Sequence, residues 1–136
     1  MKQLEQARLL LAKAREDEHA VFVLLRDADV GAAIVGFHCQ QAAEKLLKAL
    51  LSAHGAFYRH RHNLAELVEQ LEQSGHPLPD DLRAVEQLTP FAVEFRYDLF
   101  EEPPAFDAQS ALTLIRHLRE HVEQIAENNP APKNAP

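Results

Sequence analysis

Along "FHCQQAAEKLLKALLSAHG", residues 37–55, five polar residues recur at steps of 3-4-3-4: His38, Gln41, Lys45, Lys48 and Ser52. On a helix of about 3.6 residues per turn that spacing puts them in one stripe. The stripe's only formal charges are positive. Two ammonium groups about one turn apart can hold phosphate oxygens, and the imidazole and amide beside them can pair with a base or ribose. The other reading is a solvated face, since Lys and Gln are ordinary exposed helix residues. The spacing fits both.

Further residues invite chemistry and mostly return structure. His117 and His121 are four apart and share a helix face. Two imidazoles make no metal site without a third ligand, and none lies nearby in sequence. "HRH" at 60–62 is a loop pattern. No metal and no cofactor are expected. The single cysteine, Cys39, rules out an internal disulfide and falls among apolar neighbours, as a buried structural thiol does. There is no Ser-His-Asp spacing and no Gly-rich phosphate loop. The pairs Asp80–Asp81 and Glu101–Glu102 read as helix-start and solvated charges.

The elements that must position these residues are helices. Leu4, Ala7, Leu11, Ala14, Val21, Leu25 and Ala28 repeat at helical spacing, which predicts a first helix over about 2–28. "DADVG" makes a turn. A second helix is predicted over about 31–53, with Gly55 as its stop. Its apolar arc, Val35, Cys39, Ala42, Ala43, Leu46, Leu47, Ala49, Leu50 and Leu51, covers roughly 200°. That is more than one neighbouring helix fills, so this helix is central or also faces a second subunit. After the loop "AFYRHRHN", Leu64, Leu67, Val68 and Leu71 mark a shorter third helix. "SGHPLPDD" breaks the chain. A fourth helix starts near Asp80 or Asp81 and uses Leu82, Val85, Leu88, Ala92 and Phe95. Pro90 inside it predicts a kink, or a new turn capped by Thr89. The last helix, about 107–126, buries Ala111, Ile115, Leu118, Val122 and Ile125. No strand pattern competes. The fold class is all-α, an up-and-down bundle of about five helices, with a domain over 1–127 and a Pro- and Asn-rich disordered tail over 128–136.

Composition narrows the function classes. The formal charge of −7 argues against a broad, non-specific nucleic-acid surface, though a local basic patch remains open. The N-terminal stretch is charged throughout, unlike a signal peptide, and no apolar run reaches the length of about 18 residues that a membrane span needs. A cytoplasmic protein with no membrane partner is expected.

"AAIVGFHCQQAAEKLLKALLSAHG", then "RHNLAELVEQL", then "AVEFRYD" resemble the HEPN family (higher eukaryotes and prokaryotes nucleotide-binding domain). The order fits as well: a long first helix with "AREDEHA", the Gln-Ala-Ala-Glu-Lys helix, a His-x-Leu opening the third helix, and Arg-Tyr ending the fourth. The resemblance covers about 4–125. It implies a four- to five-helix bundle, usually a homodimer, often encoded beside a minimal nucleotidyltransferase as a toxin–antitoxin pair or as that enzyme's substrate-binding partner.

Many members of that family are metal-independent ribonucleases with an Arg-x(4–6)-His motif, whose composite sites form at the dimer interface. From Arg96 the motif finds no His. Arg96 and Tyr97 instead resemble the family's Arg-Tyr-Pro type, with Asp98 where Pro is common, a type regarded more often as nucleotide-binding. Arg96 sits at the edge of the apolar stripe, where a half-buried Arg needs an acidic partner, and Glu44, Glu94, Asp98 and Asp17 are the candidates. Tyr97 would stack on a base or pack at a dimer contact. His62 is either a helix-start residue or, by the resemblance, a neighbour of the Gln41–Lys45 stripe. A second match to the motif is Arg116 and His121. Residues five apart differ by about 140° on a regular helix, so this pair converges only across a two-fold axis or on an irregular helix. There His121 would act as general acid/base on a ribose 2′-hydroxyl and Arg116 would stabilise the phosphorane charge.

Three functions are therefore carried forward. The first is a non-catalytic module that binds a nucleotide, an RNA or a nucleotidyltransferase through His38, Gln41, Lys45, Lys48, His62, Arg96 and Tyr97. The second is a ribonuclease toxin using Arg116 and His121. The third is a structural dimerisation domain.

Overall fold

The computed structural model describes residues 2–58, 63–91 and 107–127. They form α1 (Lys2–Leu24), α2 (Ala32–Ala53), α3 (Leu64–Gln73), a 3₁₀ helix (Asp80–Phe91) and α4 (Ala108–Glu127). No strand occurs among the described residues. The predicted tail over 128–136, and the fourth helix's Ala92 and Phe95, lie outside them.

α2 is the central helix. All nine residues of its predicted apolar arc are buried, and α1, α3, the 3₁₀ helix and α4 each pack on it. Four neighbours account for the wide arc, so the arc itself needs no second subunit. Burying each of Leu46, Leu47, Leu50 and Leu51 contributes about 1.5–3 kcal/mol. α1 runs antiparallel to α2: Gln3 meets Ser52 at one end, and Asp17 meets His38 towards the other. α4 runs antiparallel to α1, with Glu123 beside Arg15 and Arg119 beside Glu18.

α1 ends at Leu24, four residues short of its predicted end. Its last turn tightens into i→i+3 bonds at Arg26 and Asp27, and the Asp27 carboxylate accepts from the Asp29 N–H. That local side-chain bond competes with further helix. Ala28 is accordingly exposed rather than buried. Ile125 is half-buried, and Ala126 takes the deeper place at the end of α4.

α2 and α3 stop in the same way. Gly55 (φ 77°) and Gly75 (φ 86°) adopt the left-handed conformation. Gly55 N–H bonds to Ser52 O and Ala56 N–H to Leu51 O, while Gly75 N–H bonds to Glu72 O and His76 N–H to Leu71 O. These are paired Schellman bonds, which return stray helix-end carbonyls to partners. At the opposite ends, Asn63 caps α3 by accepting from Ala65 N–H, and Asp107 caps α4 by accepting from Gln109 and Ser110 N–H. Asn63, the residue after His62, is thus the one that starts α3.

The fourth element is helical as predicted, but of 3₁₀ type. Its buried residues are Leu82, Val85 and Leu88, spaced by three. In a 3₁₀ helix residues i and i+3 eclipse, so that spacing gives one apolar edge. The kink or new turn predicted at Pro90 leads into residues 92–106, outside the described residues; Thr89 itself makes a tertiary contact. Its Oγ1 accepts the Leu64 N–H at 3.1 Å and so serves the start of α3.

Candidate functional site

The stripe on α2 is neither a solvated face nor an open row of cations. It lies half-buried along the seam with α1 and is paired internally. Asp17 of α1 takes Lys45 Nζ on Oδ2 and faces His38 Nδ1 with Oδ1 at 3.2 Å. Lys48 Nζ donates to Glu44 Oε2 at 3.0 Å, one turn back on its own helix. Gln40 Nε2 donates to Glu44 Oε1 at 3.0 Å, and Gln41 Nε2 donates to Gln40 Oε1 at 2.8 Å. Ser52 Oγ donates to the Gln3 carbonyl at 2.6 Å. Lys48 Nζ also lies 5.5 Å from the centroid of the Tyr58 ring, a cation–π distance.

Burial forces this pairing. The side chains of Lys48 and Glu44 are only 11% and 8% exposed, and an unpaired charge at such depth is costly. Lys45 and His38 keep more contact with water, at 26% and 33% exposed. Each ammonium has three donors, so a carboxylate on one of them fixes its position while others stay directed elsewhere.

Gln40, Glu44 and Asp17 are the members of this network that the stripe alone does not pick out. Gln40, Glu44 and Lys48 recur every four residues, a signal visible in the sequence. Asp17 has no such signal, since it reaches Lys45 from 28 residues away. His62, Arg96 and Tyr97 lie outside the described residues, as do Glu94 and Asp98.

Arg116 and His121 part company on α4. Arg116 turns to α1, with Nε 3.9 Å from Glu18 Oε2 and its guanidinium 5.7 Å from the centroid of the Phe22 ring. His121 feels the charges of different residues, His54 at the end of α2 and Asp81 of the 3₁₀ helix. Burial pushes its imidazole below the ordinary value, and Asp81 opposes that shift. The two side chains do not converge within one chain.

The strongest α1–α4 contact involves residues outside every predicted site. Arg119 Nε donates to Glu18 Oε1 at 2.7 Å and Nη1 reaches Glu123, which Arg15 Nη2 also contacts at 2.8 Å. The Glu18 hydrogen bond raises the Arg119 guanidinium above its ordinary range. Burial alone would push Glu123 up, but the bonds from Arg15 and Arg119 outweigh it and hold that carboxyl below the usual value.

A second cluster joins two helix ends. The His54 and His76 rings stack face to face, with centroids 3.7 Å apart and planes 5° from parallel. The Schellman turns put them there, His54 as the last residue before Gly55 and His76 as the first after Gly75. Burial, then His76, then His121 lower the His54 imidazole. Parallel rings do not aim their nitrogens at one point. No group of three or more His, Cys, Asp or Glu able to hold a metal ion occurs among the described residues. Nor is any described helix long and apolar enough to cross a membrane.

The helix order and the α2 core with its Gln-Ala-Ala-Glu-Lys segment agree with the fold that the resemblance implies. No curated protein and no solved structure matches the chain. The model of the HEPN domain family matches residues 7–126, nearly the whole bundle, and the chain belongs to that family.

Proposed function

We propose that this chain is a non-catalytic nucleotide-binding module that works beside a minimal nucleotidyltransferase, in a toxin–antitoxin arrangement in the cytoplasm. Family membership supports a nucleotide-binding or ribonuclease-type module. The observation that supports the binding reading is the seam, where Asp17 and Glu44 hold two ammonium groups in place, while Arg116, the phosphate-stabilising cation of the ribonuclease reading, is turned to Glu18. An acid/base and a phosphate-stabilising cation must converge on one phosphodiester to cleave it.

The binding surface in this reading is the Gln41–Lys45–Lys48 seam with His38, completed by His62, Arg96 and Tyr97. Asp17 and Glu44 hold two ammonium groups in fixed positions. Preorganised cations lose little freedom when an anion arrives, which favours binding. A homodimer fits the exposed apolar side chains of Leu9, Phe22 and Val23 on α1 and Ile34 on α2.

The test is titration of the purified protein with ATP, together with co-purification with a minimal nucleotidyltransferase. Wild type binds, and Lys45→Ala weakens nucleotide binding by about 10- to 100-fold, the loss of one charge-assisted contact of about 1.5–3 kcal/mol. Absence of both nucleotide and partner binding overturns the reading. RNA cleavage in EDTA by wild type that His121→Ala abolishes replaces it with the ribonuclease one.

A further inference from the structure

Where α1 begins and α2 ends, the chain encloses an open cavity of about 330 Å³. Lys2, Gln3 and Gln6 line it from α1, and Ser52, Phe57 and Tyr58 from the end of α2 and the segment beyond. Its volume lies at the lower end of the range of about 300–1,000 Å³ typical of small-molecule sites.

The lining combines one aromatic face with several polar edges. Phe57 is 87% exposed, the most exposed large apolar side chain among the described residues. A lone aromatic ring left in water at the mouth of a cavity offers a face for stacking. Tyr58, behind it, is fixed from two sides: Gln6 Nε2 donates to its hydroxyl at 3.2 Å, and Lys48 Nζ lies over its ring. Gln3 Nε2 donates to the Gly55 carbonyl at 3.0 Å, and the Gln3 carbonyl accepts from Ser52. Both glutamine amides are thereby oriented. Each amide carries two N–H donors and an acceptor oxygen, so further hydrogen-bonding capacity faces the cavity. Lys2 adds an ammonium at the rim.

A flat π-face, oriented amide edges and a nearby cation match a planar heteroaromatic ring bearing an anionic group. We propose that this cavity is the base-binding subsite of the nucleotide reading, with the base stacked on Phe57, its edge read by Gln6 and Gln3, and its phosphate directed past Tyr58 to Lys48 and Lys45 of the seam, Lys2 adding positive charge at the cavity. The inference rests on that reading and extends it to a place the polar stripe alone does not mark. Ser52, the last member of the stripe, lies both in the seam and in the cavity wall, so the two are continuous.

The probe is adenosine 5′-monophosphate, titrated by calorimetry into the full chain. Wild type binds it, and Phe57→Ala weakens binding at least about tenfold, in line with the loss of base–aromatic stacking. Gln6→Ala weakens it less. Phe57 supports little of the fold at its exposure, so an unchanged thermal melt is expected and separates a site effect from unfolding. Equal affinity in wild type and Phe57→Ala, with loss in Lys45→Ala, overturns the cavity as the base site and leaves the nucleotide reading standing. No binding by wild type overturns the cavity proposal. If ATP also fails to bind and no nucleotidyltransferase co-purifies, the wider reading falls with it.

Discussion

Asp17 on α1 forms an ion pair with Lys45 on α2, across the seam where the two longest helices meet. The Asp17 side chain is 13% exposed and also faces His38. Replacing it by Asn keeps the shape but removes the charge that Lys45 and His38 face. Asp17→Asn is expected to cost about 1–3 kcal/mol, between the values for exposed and fully buried pairs. Urea denaturation measures it. The Asp17→Asn/Lys45→Met double variant should recover part of the loss, because removing both partners leaves no stranded charge. A loss under 0.5 kcal/mol, on the order of an ordinary surface substitution, would mean that the pair is ornamental.

Burial of His54 and His121, with His76 stacked on the first, makes stability depend on pH. His54 and His121 both have imidazoles lowered below the ordinary 6.5, and the groups facing them are each other, His76 and Asp81. The unfolded chain binds these protons more readily than the folded one. Their contribution is fully present above pH 6.5 and is lost as pH falls through the lowered folded values. The thermal midpoint should therefore drop first below about pH 6.5, from the imidazoles. A second decline should follow below the ordinary 4.5 of Glu123, whose carboxyl is also lowered. His54→Gln should flatten the first decline and leave the second. A midpoint unchanged between pH 7 and pH 5, a window set by the ordinary histidine value of about 6.5, would refute the account.

Thr89 ties the 3₁₀ helix to the start of α3 through the bond from Leu64 N–H. Thr89→Val keeps the volume and removes the acceptor. Leu64 is buried, so its N–H has no easy access to water. The variant should lose about 1–2 kcal/mol, measured by urea denaturation. Thr89→Ser should lose less, since the hydroxyl remains. A loss in Thr89→Ser but not in Thr89→Val would place the effect in the methyl group instead.

Cys39 is the only thiol of the chain and is fully buried in the α2 core. Burial pushes it up to about 12, so at neutral pH the folded protein holds almost no thiolate. Incubation with Ellman's reagent should release no colour from native protein within minutes, and one equivalent after denaturation. Fast reaction of the folded form would show that α2 opens readily.

Much of the bundle is legible in the sequence because periodicity is local. The α2 arc from Val35 to Leu51 follows from the helical repeat, and each of its nine positions is buried. The stops at Gly55 and Gly75 follow from the one residue that takes a positive φ without strain. Even the 3₁₀ helix is written in the spacing of Leu82, Val85 and Leu88, although that spacing also suits one face of an α-helix and so does not distinguish the two.

The site was legible only in half. Its stripe from His38 to Ser52 follows from angle alone, and so does the failure of Arg116 and His121 to converge on one regular helix. What the polar residues meet across the seam was decided by tertiary structure. Lys45 meets Asp17 because α1 folds back antiparallel and sets its axial position against α2. Arg15 and Glu18 turn to α4 while Asp17, between them in sequence, turns to α2, since successive helix residues point about 100° apart. His54 and His76 stack only because two helices with identical stops end side by side. The sequence by itself determined which faces are apolar, where helices end and which cations share a stripe. Packing alone decided that Lys45 is already paired with Asp17, because the partner across a helix seam depends on how far one helix slides and turns against the next, and no local repeat encodes that offset.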